Sequence, residues 1–84
     1  MAEVKICGLT EAVHVAAAVD AGARFLGFVF FPKSPRAVTP EQAAVLAADV
    51  PVGVARVGLF VDPDDVLLDR VLSAVPLDVI QLHG

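Results

Sequence analysis

The sequence predicts an α/β fold in which four parallel strands alternate with three helices, in the order β-α-β-α-β-α-β. Three observations predict it. Short runs rich in Val, Ile, Leu and Phe recur along the chain, about 20–30 residues apart, the interval of strand–helix–strand units with right-handed crossovers. The second of these runs is apolar at every position, so it has no solvent face, as expected of a central parallel strand. Helix start and stop signals stand between the runs. There is no linker, low-complexity stretch or sequence repeat, and 84 residues suffice for one small domain. Four strands and three helices make either a small open sheet or about half of an eight-stranded barrel.

The first strand is Val4-Lys5-Ile6-Cys7-Gly8. Side chains alternate along a strand, so Val4 and Ile6 share one face and Lys5 and Cys7 the other. The Val/Ile face suits packing under a helix, and the Lys/Cys face suits a site. Thr10 is placed to cap the first helix, which spans residues 11–21 and contains His14, and Gly22 supplies its stop. His14 reads as a surface histidine remote from the strand ends. Phe25 to Phe31 is the second strand, and two prolines keep Pro32 to Arg36 irregular. Thr39-Pro40-Glu41-Gln42 carries the signature of a capping box with proline at the first helical position. That helix runs to about Asp49. The third strand is Ala55 to Val61, with Arg56, Gly58 and Phe60 on one face and Val57, Leu59 and Val61 on the other. Asp62 is the expected cap of the third helix, whose apolar stripe is Leu67, Leu68, Val71, Leu72 and Val75. Asp69, Arg70 and Ser73 fall off the stripe as solvated positions. The fourth strand is Asp78 to His83, with Val79, Gln81 and His83 on one face.

Composition narrows the function classes. The net charge of −4 lacks the basic footprint of a nucleic-acid binder. A single cysteine cannot close an internal disulfide, so a reducing cytoplasm is the expected setting. No uninterrupted apolar window long enough for a membrane span and no signal-peptide pattern is visible. The apolar content of 57% is high for so small a unit, which suggests apolar surface awaiting a partner.

Residues with chemistry gather at the C-terminal strand ends, where parallel α/β folds place their sites. Cys7 ends the first strand, Lys33 and Arg36 lie in the loop after the second, and Gln81 and His83 end the fourth. A cysteine acts as base or nucleophile only as its thiolate, which a nearby cation such as Lys5 favours. A lone cysteine in an apolar strand is nonetheless most often a packing residue. Arg36 can hold a carboxylate by two parallel hydrogen bonds, or simply be a solvated loop arginine. Arg56 and Gln81 read as members of a polar network inside a barrel. No metal-ligand spacing is present.

Four stretches resemble one family: Lys5-Ile6-Cys7-Gly8, Gly27-Phe28-Val29-Phe30 with Ser34-Pro35-Arg36, Val57-Gly58-Leu59-Phe60-Val61, and Gln81-Leu82-His83-Gly84. In order and spacing they are similar to phosphoribosylanthranilate isomerase. The resemblance implies a (β/α)8 TIM barrel and an Amadori aldose-to-ketose rearrangement in tryptophan biosynthesis, without metal or organic cofactor. It implies Cys7 as general base, Arg36 as the residue binding the anthranilate carboxylate, and His83 in the substrate site, with Lys5 and Gln81 shaping it. The family's general acid is an aspartate on strand five, and its phosphate site follows strands seven and eight. None of Asp62, Asp64, Asp65 and Asp78 stands where that acid belongs. The expectation is therefore an N-terminal (βα)3β half-barrel over residues 1–84 that takes phosphoribosyl anthranilate as part of a whole barrel, without nucleic-acid or membrane partners. On its own it is expected to be inactive and to self-associate. The alternatives are a free-standing half-barrel acting as a structural or interaction module, or part of another sugar-phosphate barrel.

Overall fold

A computed structural model describes residues 4–83, with His83 described in its backbone alone. The elements run β1 (Lys5–Cys7), α1 (Ala12–Asp20), β2 (Phe25–Val29), α2 (Pro40–Ala48), β3 (Ala55–Val61), α3 (Asp65–Ala74) and β4 (Val79–His83). The strands form one parallel sheet in the order β1-β2-β3-β4. Each strand lies beside its predecessor in sequence, which is the winding of a barrel rather than of a doubly wound sheet.

Strand alternation divides the sheet into two faces. Leu26, Phe28 and Phe30 on and just after β2, with Phe60 on β3, point to the helix layer and are buried. They pack in one cluster with Val15 and Ala18 of α1, Ala43, Leu46 and Ala47 of α2, and Val71 of α3. The rings of Phe30 and Phe60 stack with centroids 5.3 Å apart. Each large side chain buried in this way contributes about 1.5–3 kcal/mol, so this layer holds the unit together. Ile6 also packs against it, while Lys5 and Cys7 stand exposed on the other face, as the alternation of β1 predicts.

The helix signals are partly as read. Thr39 and Gln42 form the full capping box, Oγ1 accepting from the Gln42 amide at 3.1 Å and Oε1 accepting from the Thr39 amide at 2.9 Å. Gly22 ends α1 with φ +89°, a conformation that favours glycine. Thr10 is not the cap of α1. Glu11 takes that position, without a side-chain bond to the helix. Nor does Asp62 cap α3. Asp64 does, accepting from the Leu67 amide at 2.8 Å, because the chain needs two further residues to turn out of β3. Leu72 leaves the predicted stripe and is 48% exposed, whereas Val71 and Val75 are buried. Arg70 is solvated as expected but pairs with Glu41 of α2 at 2.7 Å. No helix among the described residues is long and apolar enough to cross a membrane.

Candidate active site at the C-terminal end of the sheet

Strands β1, β2 and β4 and one loop build the candidate site. Cys7 is the last residue of β1, and its side chain lies on the face away from the helices. Its in-register neighbour on β2 is Gly27. A Cβ on Gly27 would stand 2.9 Å from the Cys7 Sγ, so the thiol rests directly against the bare Cα of β2. The Gly27 carbonyl accepts from the amides of both Gly8 (3.0 Å) and Leu9 (3.3 Å), which pins the turn immediately after Cys7.

The proline-rich loop after β2 folds back on the same turn. Ser34 donates its amide to the Phe31 carbonyl, Ala37 donates to the Ser34 carbonyl, and Arg36 donates to Ser34 Oγ at 3.2 Å. Ala37 then bridges to Val29 alongside β2. These bonds bring Arg36 back to β1, and its side chain lies across Gly8. A Cβ on Gly8 would meet Arg36 Cδ at 2.7 Å and Nη1 at 3.3 Å. Gly8 has φ +80°, so this residue is glycine for its backbone as well. The sequence thus places Cys7 and Arg36 apart by 29 positions, and the fold places them one residue apart on the β1 turn.

Lys5 and Gln81 meet below Cys7. The Lys5 ammonium donates to Gln81 Oε1 across the face that holds Cys7, although β1 and β4 are the two edges of the sheet. The hydrogen-bonding row through Lys5, Phe25 and Ala55 reaches position 77 beside β4, so Gln81 is four residues further along. That offset over three strand steps is close to the stagger of an eight-stranded barrel of shear eight, about one residue per strand. The sheet therefore curls with its Lys5/Cys7 face inward. With Phe25, Val57 and Val79 these two side chains line an open hollow of about 490 Å³.

The other expected residues are less central. His83 ends β4 and pairs in register with Val61 at the same end of the sheet as Cys7; its side chain lies outside the described residues. Lys33 is exposed in the loop, and His14 is exposed on α1. Arg56 is not part of a polar network inside a barrel. It alternates to the helix face at the N-terminal end of β3, where its Nε lies 3.1 Å from Asp78 Oδ2. The Arg56 guanidinium and backbone amide hold the Asp78 carboxyl below the usual carboxylate range. That pair sits at the end of the sheet opposite Cys7. Asp62, at the C-terminal end of β3, has φ +42°, an uncommon conformation that aspartate tolerates better than most residues. Among the described residues no three His, Cys, Asp or Glu side chains come together as a metal site. Reading the sequence alone missed the two glycines as parts of the site, although a glycine inside a strand is itself a sign of close approach.

Comparison with known proteins gives the family and the fold. The family model described as N-(5'phosphoribosyl)anthranilate (PRA) isomerase matches residues 4–84. The N-(5'-phosphoribosyl)anthranilate isomerase of Paracoccus denitrificans (strain Pd 1222) is 78% identical over 81 residues, covering 96% of this chain and 38% of the relative. That of Rhodospirillum centenum is 61% identical over 82 residues, covering 98% and 38%. The crystal structure of the Thermotoga maritima enzyme superposes with a TM-score of 0.93 at 45% identity, over the whole of this chain and 41% of that one. A phosphoribosyl anthranilate isomerase in complex with reduced 1-(o-carboxyphenylamino)-1-deoxyribulose 5-phosphate also gives 0.93 at 45% identity, over 43% of its length. The four strands have the architecture of the N-terminal part of a (β/α)8 TIM barrel. The chain spans about two-fifths of the length of these relatives, and it belongs to the N-(5′-phosphoribosyl)anthranilate isomerase family.

Proposed function

We propose that a full-length barrel bearing these residues isomerises N-(5′-phosphoribosyl)anthranilate, an aldose-to-ketose Amadori rearrangement of tryptophan biosynthesis, with Cys7 as the general base. The observation that carries this reading is the position of Cys7 at the C-terminal end of β1 with the Arg36 side chain lying across the next residue, Gly8. In this reading a general acid protonates the furanose ring oxygen. The C1′–O bond breaks as the anthranilate nitrogen lone pair forms a C=N⁺ Schiff base. The Cys7 thiolate then takes the C2′ proton, and the C2′–H electrons move to give the enolamine. Tautomerisation of the enolamine yields the ketone.

Arg36 clamps the anthranilate carboxylate through its planar fork, and His83 contributes to substrate binding from the end of β4. Lys5 and Gln81 form the polar floor of the site. The resemblance puts the general acid on strand five and the phosphate anchor after strands seven and eight, beyond the span of these 84 residues. General acid–base groups are worth about 10²–10⁴ each in rate, so the 84 residues by themselves carry the base and the carboxylate clamp without the activity. The substrate is a small molecule, and a base that must remain an unoxidised thiol suits the reducing cytoplasm.

The test is Cys7→Ser in the full-length barrel. A folded protein whose turnover falls by orders of magnitude is the expected result. Near-normal turnover in the folded variant would remove Cys7 from the role of base.

A further inference from the structure

We propose that Gly27 and Gly8 are positioning residues of this site, Gly27 fixing where the Cys7 thiol rests and Gly8 fixing the path of Arg36. The inference rests on the reading of Cys7 as base and Arg36 as carboxylate clamp. Gly27 lies inside β2 with no left-handed backbone to require glycine. Space is what requires it. A Cβ there would lie 2.9 Å from Cys7 Sγ, 3.2 Å from its Cα and 3.3 Å from its Cβ. Non-bonded carbon and sulfur atoms want about 3.5–4.0 Å, so the thiol would have to move by most of an ångström or leave its rotamer well. The contacts to Cys7 Cα and Cβ would also press β1 away by a few tenths of an ångström, against the bonds of the Gly8 and Leu9 amides to the Gly27 carbonyl at 3.0 and 3.3 Å. A base displaced by about 1 Å loses on the order of 10²-fold in rate.

Gly8 acts on the other partner. A Cβ there would come within 2.7 Å of Arg36 Cδ and 3.3 Å of Nη1, lifting the guanidinium off the β1 turn. Gly58 provides the contrast. It lies on the helix face of β3, where a Cβ would strike Leu77 Cδ1 at 2.6 Å and Phe60 Cε2 at 3.0 Å. It is a packing glycine, and its replacement disturbs the core and leaves the site alone.

The experiment compares Gly27→Ala, Gly8→Ala and Gly58→Ala in the full-length barrel, with Cys7→Ser beside them. Three readouts are taken: kcat and KM, the rate at which iodoacetamide alkylates Cys7 in the folded protein, and the denaturation midpoint. Gly27→Ala is expected to lower kcat by about 10–100-fold with KM little changed, and to change the alkylation rate. Gly8→Ala is expected to raise KM by about tenfold or more. Gly58→Ala is expected to lower the midpoint while kcat and alkylation stay as in the parent. Unchanged kcat and alkylation in Gly27→Ala overturn the inference. Should Gly27→Ala fail to fold, an unchanged KM in Gly8→Ala overturns it. The two readings fail separately: turnover retained in Cys7→Ser removes the base itself, whereas turnover lost there but kept in Gly27→Ala removes the inference alone.

Discussion

Asp78→Ala tests the end of the sheet remote from the chemistry. Asp78 Oδ2 accepts from the Arg56 amide at 2.8 Å and from its Nε at 3.1 Å, while Oδ1 accepts from Nη2 at 3.4 Å. The Asp78 amide returns a bond to the Arg56 carbonyl at 2.8 Å. The carboxylate thus joins the start of β3 to the start of β4. The side chains are 27% and 44% exposed, so the ion pair itself is worth only about 0.2–1 kcal/mol. The bond from a backbone amide to a charged carboxylate adds about 1 kcal/mol after the same discount for solvent. The expected loss in Asp78→Ala is therefore about 1–2 kcal/mol, with Asp78→Asn losing less because it keeps an acceptor for the amide. The sign with pH follows from the lowered carboxyl. At acid pH the unfolded chain binds the proton more readily, so the stabilisation is complete above about pH 4, the unfolded value, and disappears as pH falls through the folded one. Urea denaturation of the full-length barrel, followed by circular dichroism at pH 7 and at successive acid values, reads both effects. The gap between parent and Asp78→Ala is expected to close below about pH 4, with kcat nearly unchanged at pH 7. Equal midpoints at pH 7, or a gap that persists unchanged in acid, would refute the reasoning.

Two further substitutions address the clamp and the second helix. Arg36→Lys replaces a planar fork by a point charge and is expected to raise KM for the phosphoribosyl anthranilate by about tenfold, a loss of one of two parallel bonds; unchanged KM and kcat would return Arg36 to a solvated loop. Thr39→Ala removes the acceptor of the Gln42 amide at 3.1 Å and leaves the reciprocal bond at 2.9 Å; a loss of about 1 kcal/mol is expected by denaturation, with steady-state kinetics unaffected.

The fold was legible wherever local rules act on contiguous residues. Alternation in β1 separates Ile6 from Lys5 and Cys7, and the Thr39/Gln42 spacing announces the box that starts α2. Misreadings arose where several residues could serve one role. Thr10 lost the cap of α1 to Glu11, and Asp62 lost that of α3 to Asp64, since the geometry of the preceding turn decides which side chain meets the free amides. For Arg56, strand alternation gives two faces but does not say which faces the helices; the burial of Phe60 on the same face decides it. The site was legible as types of residue at strand ends and not as contacts. Nothing local tells that Lys5 reaches Gln81, because that contact depends on the stagger accumulated over three strand pairings. The glycines are the same case: their use lies in what stands opposite, Cys7 for Gly27 and Arg36 for Gly8.

The 84 residues on their own are expected to associate. Among the described residues β1 pairs only with β2 and β4 only with β3, so both outer edges offer unpaired backbone groups, a template for another strand. β4 adds apolar surface on both of its faces: Val79 is 42% exposed, Ile80 42% and Leu82 65%. The phenylalanines contribute less than the sequence suggests, since Phe28, Phe30 and Phe60 are buried under the helices, Phe25 on the Cys7 face is half-buried beside Lys5, and Phe31 just past β2 is half-buried too. The attraction is therefore concentrated on β4. Burying three such side chains is worth a few kcal/mol, at about 25 cal/mol per Å², and strand pairing along an open edge adds directional bonds. Apolar side chains exposed along an open edge strand favour pairing with another chain. Circular dichroism is expected to show helix and strand, because the helix-side core is complete within these residues. Sedimentation at low micromolar concentration is expected to show dimers or larger species, without isomerase activity. A stable monomer would refute the edge argument. Turnover would refute the absence of an acid, and Asp62→Asn would then be the first variant to make, because Asp62 directly follows β3 at the same end of the sheet as Cys7, held at φ +42°.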